Sequence, residues 1–429
     1  MKPKPTTLAV LASLPASLVQ LALAPNAARA QGPVTAITNV RILTAAGPAI
    51  ERGTVVIRDG RIVDAGAAPP PTGARIIDGA GKTVTPGFLD SSTTIGIVEI
   101  SLEDNTNDAG TAADRITAAF DVVDAINPNS TLIPITRIEG ITRVVVQPQA
   151  GSTLIAGRGA LIDLAGDRVS LMLRRTPTAV YAALGEAGAA AAGGSRAAAT
   201  TYLREVLQDA RDFALNREAW ERNQRRDYAL SRLDLEALAT VLTGEVPLAI
   251  SVHRASDILT TLRLAREIPN LRLVLLGATE GWMVAGDIAA ANVPVVINPM
   301  QNLPGFENLG ITLENAARLD RAGVLVAFGS FDAHNARNLK QLAGNAIAHG
   351  MPADAALRAV TVNGARIWGI EESYGTLQRG RDADLVVWSG DPFELSTRVE
   401  RVFIRGQEVP LDSRQKELFR RYRTLEAGR

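Results

Sequence analysis

Short apolar runs recur along the middle of the chain, separated by stretches with helical periodicity. Thr142 to Val146, Leu248 to Val252, Leu271 to Leu276, Val293 to Ile297 and Val324 to Phe328 read as strands buried on both faces. Between them, Asp257 to Ile268, Leu313 to Ala322 and Pro352 to Val360 read as helices. This alternation predicts an α/β fold with a parallel sheet. The interval 86–365 is close to the ~250 residues of a (β/α)8 barrel.

Both flanks are patterned differently. Residues 34–85 predict short strands: Val34 to Leu43, Thr54 to Ile57, Arg61 to Val63, Ile76 to Asp78 and Lys82 to Val84. Asp59-Gly60 marks a tight turn and Pro69-Pro70-Pro71 an extended loop. Near the other end, Leu385 to Trp388 and Val399 to Ile404 predict strands, with a turn at Arg405-Gly406. Gly185 to Thr201, rich in Ala and Gly, reads as a mobile loop. The charged run Tyr202 to Leu235 reads as a solvated helix pair. Asp412 to Gly428 reads as a surface helix docking through Leu418, Phe419 and Tyr422.

The first 30 residues have the layout of a secretory signal: Lys2 and Lys4, an apolar stretch from Leu8 to Leu23, and Ala28-Arg29-Ala30 before Gln31. Ser13, Pro15, Ser17 and Gln20 interrupt the stretch, so it falls short of a membrane span. A secreted, periplasmic protein without a membrane span is expected. The 45 basic and 45 acidic residues balance, and setting aside Lys2, Lys4 and Arg29 leaves a net charge of −3. No basic excess points to nucleic acid. The absence of cysteine excludes disulfides, thiolate metal sites and cysteine nucleophiles.

Residues 84–96 carry the candidate chemistry: Val-Thr-Pro-Gly-Phe-Leu-Asp-Ser-Ser-Thr-Thr-Ile-Gly. This segment resembles the Pro-Gly-x-x-Asp-x-His-x-His signature that opens the barrel of the amidohydrolase superfamily. A second stretch, Gly375 to Trp388, resembles the family's Gly-x-Leu-x-x-Gly-x-x-Ala-Asp-Leu-Val return to the N-terminal strands. The resemblance covers nearly all of the chain after residue 30 and is closest to the exported, imidazolonepropionase-like branch.

It implies a (β/α)8 TIM barrel beside a small β-sandwich built from both chain ends. The implied boundaries are 1–30 signal peptide, 31–85 first part of the sandwich, 86–365 barrel, 366–410 second part of the sandwich and 411–429 a helical tail. It also implies metal-assisted hydrolysis of non-peptide, cyclic amide-like C–N bonds, with ligands at the C-terminal strand ends.

This chain departs from that pattern at the ligand positions. Ser92 and Thr94 stand where the first-strand histidines belong, and neutral hydroxyls are poor zinc ligands. Glu186 matches the fourth-strand glutamate, and equally reads as a surface acid. His253 matches the fifth-strand histidine, or is a packed strand-end histidine. Gly277 replaces the sixth-strand histidine. Phe331 stands at the eighth-strand aspartate, with Asp332 one residue late and His334 beyond it. Glu280 reads as a helix-start acid and His349 as a helix-end histidine.

A metal site assembled from Glu186, His253 and Asp332 would be oxygen-rich and would hold at most one zinc. The expectation is therefore an amidohydrolase scaffold with a degraded metal site and no cofactor. The alternative is a non-catalytic ligand-binding or partner subunit, either homo-oligomeric or paired with an active paralogue. The small-molecule ligand is not encoded in any recognisable charge cluster, although Asn105 to Asp108, Arg254 and Arg337 are candidates to line the mouth.

Overall fold

The computed structural model describes residues 33–423. The expected signal segment lies outside the described residues, as do the last residues of the expected tail helix.

The expected central strands form where the apolar runs predicted them. Leu248–Val252, Leu273–Gly277, Val295–Ile297 and Val326–Phe328 pair in parallel order, preceded by Val180–Ala183. Phe88–Thr93 pairs in parallel with Ile141–Val146. Seven parallel strands thus line up in two separate sheets, and no ladder closes a ring among the described residues. This corrects the expected eight parallel strands of a closed barrel.

The remaining wall position is taken by an antiparallel segment that sequence patterning missed. Its first half, Ile155–Arg158, pairs with Val180–Ala183, and its second half, Ala160–Asp163, pairs with Ile141–Val146. The change of partner occurs at Gly159. A Cβ there would lie 2.5 Å from the Tyr181 ring and 2.7 Å from the Val146 carbonyl oxygen, so only glycine fits.

Side-chain alternation separates two layers. Leu89, Val145, Tyr181, Ala249, Val274, Val296 and Ala327 pack together as an inner core with Ile367, Trp368 and Tyr374. Their strand neighbours, among them Val144, Ile250, Leu275, Ile297 and Phe328, pack outward against the helices.

Strands from both flanks do meet, in one hydrogen-bonded sheet of eight strands that shares a single apolar core. In it, Leu385–Trp388 lies antiparallel to Thr83–Pro86 and to Val399–Ile404. The sheet adjoins the strand layer through Gly140, Phe88 and Trp388. Phe88 N–H donates to the Gly140 carbonyl at 3.0 Å, and the Phe88 and Trp388 rings lie 5.1 Å apart.

Two other expectations are corrected. Gly185 to Thr201 is largely helical: Gly185–Ala191 forms one helix, and Arg196–Glu221 starts at a Ser195 cap whose hydroxyl accepts from Ala198 N–H. Alanine favours helix, so the composition pointed to the wrong state. The charged helix pair is present as Arg196–Glu221 and Arg232–Leu242, but Leu203, Val206, Leu207 and Phe213 bury one side of it. In the tail helix Arg414–Tyr422, Phe419 and Tyr422 are exposed instead of docked. No helix among the described residues is long and apolar enough to cross a membrane.

Candidate functional site

The C-terminal ends of the parallel strands define the mouth, where barrel chemistry concentrates. Ser92 and Thr94 are both buried there, on and just after the first strand. Ser92 Oγ has no protein hydrogen-bond partner, and its Cβ presses against Gly329.

The residue that organises this corner is Asp90, which sequence reasoning treated only as part of the motif frame. It is fully buried. Its carboxylate accepts from Ser330 Oγ at 2.5 Å, Ser330 N–H at 3.0 Å and Ser92 N–H at 3.1 Å. Asp90 therefore clasps the first parallel strand to the turn after the last. Phe331 N–H completes that seam by donating to the Ser92 carbonyl at 2.8 Å. Burial pushes the Asp90 carboxyl up to about 7, against the lowering effect of its three donors, and the nearby Asp332 charge adds to the rise.

Phe331 adopts φ +57°, which turns the chain sharply and seats its ring against the inner core. Asp332, half-buried, follows this turn. Its carboxylate accepts from His334 N–H at 2.6 Å, Asn335 N–H at 2.9 Å and Asn335 Nδ2 at 3.2 Å, fixing the turn that opens the short helix Asn335–Asn338. His334 meets Asp332 only through this backbone donor.

His253 follows its strand at the address expected. Its ring lies directly over Gly277, in the space a sixth-strand side chain would fill. A Cβ on Gly277 would sit 2.4 Å from His253 Cε1, and Gly277 has φ +82°. The glycine thus makes room for the neighbouring imidazole. Thr279 Oγ1 lies 3.4 Å from His253 Nδ1. Burial holds the imidazole below its ordinary value, partly offset by the Glu307 carboxylate. Replacing Gly277 by Ala is expected to destabilise the fold by about 1–3 kcal/mol, through left-handed backbone strain and displacement of His253. Urea unfolding of the variant measures this, and an unchanged midpoint contradicts it.

Glu186 is exposed, at the start of helix Gly185–Ala191. Only its backbone turns toward the mouth, donating to Glu307 Oε1 at 2.6 Å. Glu280 does more than complement a helix start. It is buried, and its two oxygens accept from Ala255 N–H and Gly310 N–H, both at 2.9 Å. It ties the start of helix Ala255–Arg266 to the long loop after the strand Val295–Ile297. That loop carries Glu307 toward His253 and presents Met300, Leu303, Phe306 and Leu309 to solvent, with Phe306 94% exposed. Neither Glu307 nor this apolar loop was singled out from sequence; a run of Met, Leu and Phe among Pro, Gly and Asn was the available signal. Asn105, Asp108, Arg254 and Arg337 are exposed. His349 sits at the C-terminal cap of helix Leu339–Ala348, before Gly350, as expected.

A catalytic zinc needs about three protein ligands and an open position. At this mouth Ser92 and Thr94 offer neutral hydroxyls, Gly277 offers nothing and Glu186 points to solvent. Asp332 is committed to backbone donors. His253 is the one imidazole at a position where the resemblance implies a ligand. Among the described residues no three His, Asp or Glu side chains converge as a metal site. The donor set does not fit the family's metal.

Residues 265–409 match the model of the amidohydrolase family. A curated relative, amidohydrolase tasK of Hapsidospora irregularis, is 24% identical over 393 residues, covering 83% of this chain. This chain spans 39% of that relative's length. Among solved structures, an amidohydrolase from Thermotoga maritima MSB8 is similar with a TM-score of 0.79 and 28% identity, over 88% of this chain and 99% of that one. A molinate hydrolase shares the fold at a TM-score of 0.56 and 17% identity, over 89% of this chain and 95% of that one.

Proposed function

We propose that this chain is an amidohydrolase-family protein that does not carry out metal-dependent hydrolysis itself and serves as a binding or partner subunit. The observation that carries the reading is the Gly277–His253 arrangement: the imidazole occupies the space of a sixth-strand side chain, within a mouth where Ser92, Thr94 and Phe331 offer no zinc-binding donor and Glu186 is exposed. The partner role is supported by two features. Apolar side chains crowd the loop beside the mouth, where a second protein would cover them. Most of the tasK relative also lies outside its match to this chain, so there such a unit is one part of a larger protein. The imidazolonepropionase-like branch, export to the periplasm, and pairing with itself or with an active paralogue belong to this reading as further proposals.

A second reading is favoured by the 28% identity to the Thermotoga amidohydrolase. It makes the chain a hydrolase of cyclic amide-like C–N bonds using an unusual set of donors. The two are separated by assaying the purified chain on cyclic imides, hydantoins and acyl-proline dipeptides with added Zn²⁺ or Mn²⁺. The partner reading expects no turnover above the free-ion background, and the same trace for His253→Ala. Turnover that His253→Ala abolishes would establish the hydrolase reading instead.

A further inference from the structure

A cavity lies at the opposite end of the strands from the mouth. It has a volume of about 530 Å³, within the range of small-molecule sites. Its walls come from the N-terminal ends of four successive parallel strands: Pro247, Leu273, Pro294 and Leu325 each stand at or just before a strand start. Its floor reaches the inner core through Val274 and Leu325. In a barrel this face is remote from catalysis.

Three arginines line the cavity: Arg266 from the end of helix Ala255–Arg266, Arg272 before strand Leu273–Gly277, and Arg366 from helix Val362–Ile367. No aspartate or glutamate lines it. Among the described residues, neither Arg266 nor Arg366 forms an ion pair or a side-chain hydrogen bond. Arg272 reaches only the carbonyls of Glu245 and Gly244, at 3.4 and 3.5 Å. All three arginines are exposed at the cavity rim, so their guanidinium groups are open to a ligand. Between the arginines the walls are apolar, with Leu262, Val293 and Val324 among them.

We propose that this cavity binds a small organic anion, a carboxylate or phosphate head carried on an apolar body. Guanidinium groups without partners match planar and tetrahedral oxyanions and bind them through paired donors. The aliphatic walls give the body a dry surface. The three arginines come from three separate elements around the strands from Leu248–Val252 to Val326–Phe328, so a bound anion would bridge them and stabilise that part of the fold.

The test uses the full chain and calorimetric titration with hexanoate, hexyl phosphate, inorganic phosphate and hexan-1-ol. Hexanoate or hexyl phosphate is expected to bind at one site per chain, more tightly than inorganic phosphate or hexanol. Affinity is expected to fall about tenfold or more in each of Arg266→Ala and Arg366→Ala, and to persist in Arg263→Ala, an exposed arginine of the same helix outside the cavity. Both cavity arginines are exposed, so the variants should keep the wild-type unfolding midpoint without ligand. The proposal is overturned by no saturable binding below about 10 mM. Equal binding of hexanol overturns it too, as does an affinity that the cavity variants leave unchanged or that Arg263→Ala lowers as much.

Discussion

Arg143→Ala is expected to destabilise the chain by about 3–5 kcal/mol, because it strands a buried carboxylate. Arg143 is 1% exposed on the second parallel strand. Its Nε donates to Asp384 Oδ2 at 2.8 Å and its Nη2 to Asp382 Oδ2 at 2.7 Å. The guanidinium stacks 4.3 Å over the Tyr374 ring, whose hydroxyl donates to the Gly87 carbonyl at 2.7 Å. Asp384 also accepts from Arg405 N–H at 2.6 Å. One arginine therefore joins the strand layer to the sheet that both flanks build, and explains physically why an Ala-Asp pair opens the strand Leu385–Trp388. Removing the cation leaves the buried Asp384 side chain held by one backbone donor. Urea unfolding followed by circular dichroism measures the loss. Arg143→Met combined with Asp384→Asn should recover much of it, since the cost lies in the unpaired charge. A single-variant loss below about 1 kcal/mol would mean that water reaches the site and screens it.

The second large effect is a pH dependence centred on Asp90. An unfolded aspartyl side chain releases its proton near pH 3.9, whereas burial raises the folded carboxyl to about 7. Between those values the folded chain holds a proton that the unfolded chain has lost. The stabilising contribution is therefore full below about pH 4 and is lost as pH rises through 7. The size is on the order of 3–4 kcal/mol. Asp90→Asn removes the titration and keeps the shape. Stability curves of the two proteins should diverge between about pH 4.5 and pH 8, with the parent losing stability relative to the variant as pH rises. Parallel curves would show that Asp90 ionises as freely in the folded chain as in the unfolded one.

The strand layer was legible because strands buried on both faces must be largely apolar, as Leu248–Val252 is apart from Ser251 and as Leu273–Gly277 is. The joining of the two flanks in one hydrogen-bonded sheet was legible in the Ala383-Asp384 stretch. The segment 155–163 was not legible. Its partner switch at Gly159 depends on how close Tyr181 and Val146 come, which no local pattern encodes. Gly185 to Thr201 was misread because alanine and glycine together suggest a linker, while the Ser195 cap that signals a helix was passed over.

At the mouth, register alone placed Ser92, Thr94, Gly277 and Phe331 where the resemblance implies ligands. What register could not convey is where the remaining groups go. Asp332 turns to its own backbone, Glu186 to solvent, and His253 onto Gly277. Asp90, in plain view within the motif, became a functional candidate only when Ser330 was found across the seam.

Metal binding by the purified full chain tests the central claim most directly. After growth with added zinc, manganese and iron, and purification without chelator, elemental analysis is expected to find below about one-tenth equivalent of any divalent ion, with no saturable zinc uptake by calorimetry at micromolar concentrations. One equivalent of ion per chain, held at the mouth by three or more protein side chains including His253, would contradict the account.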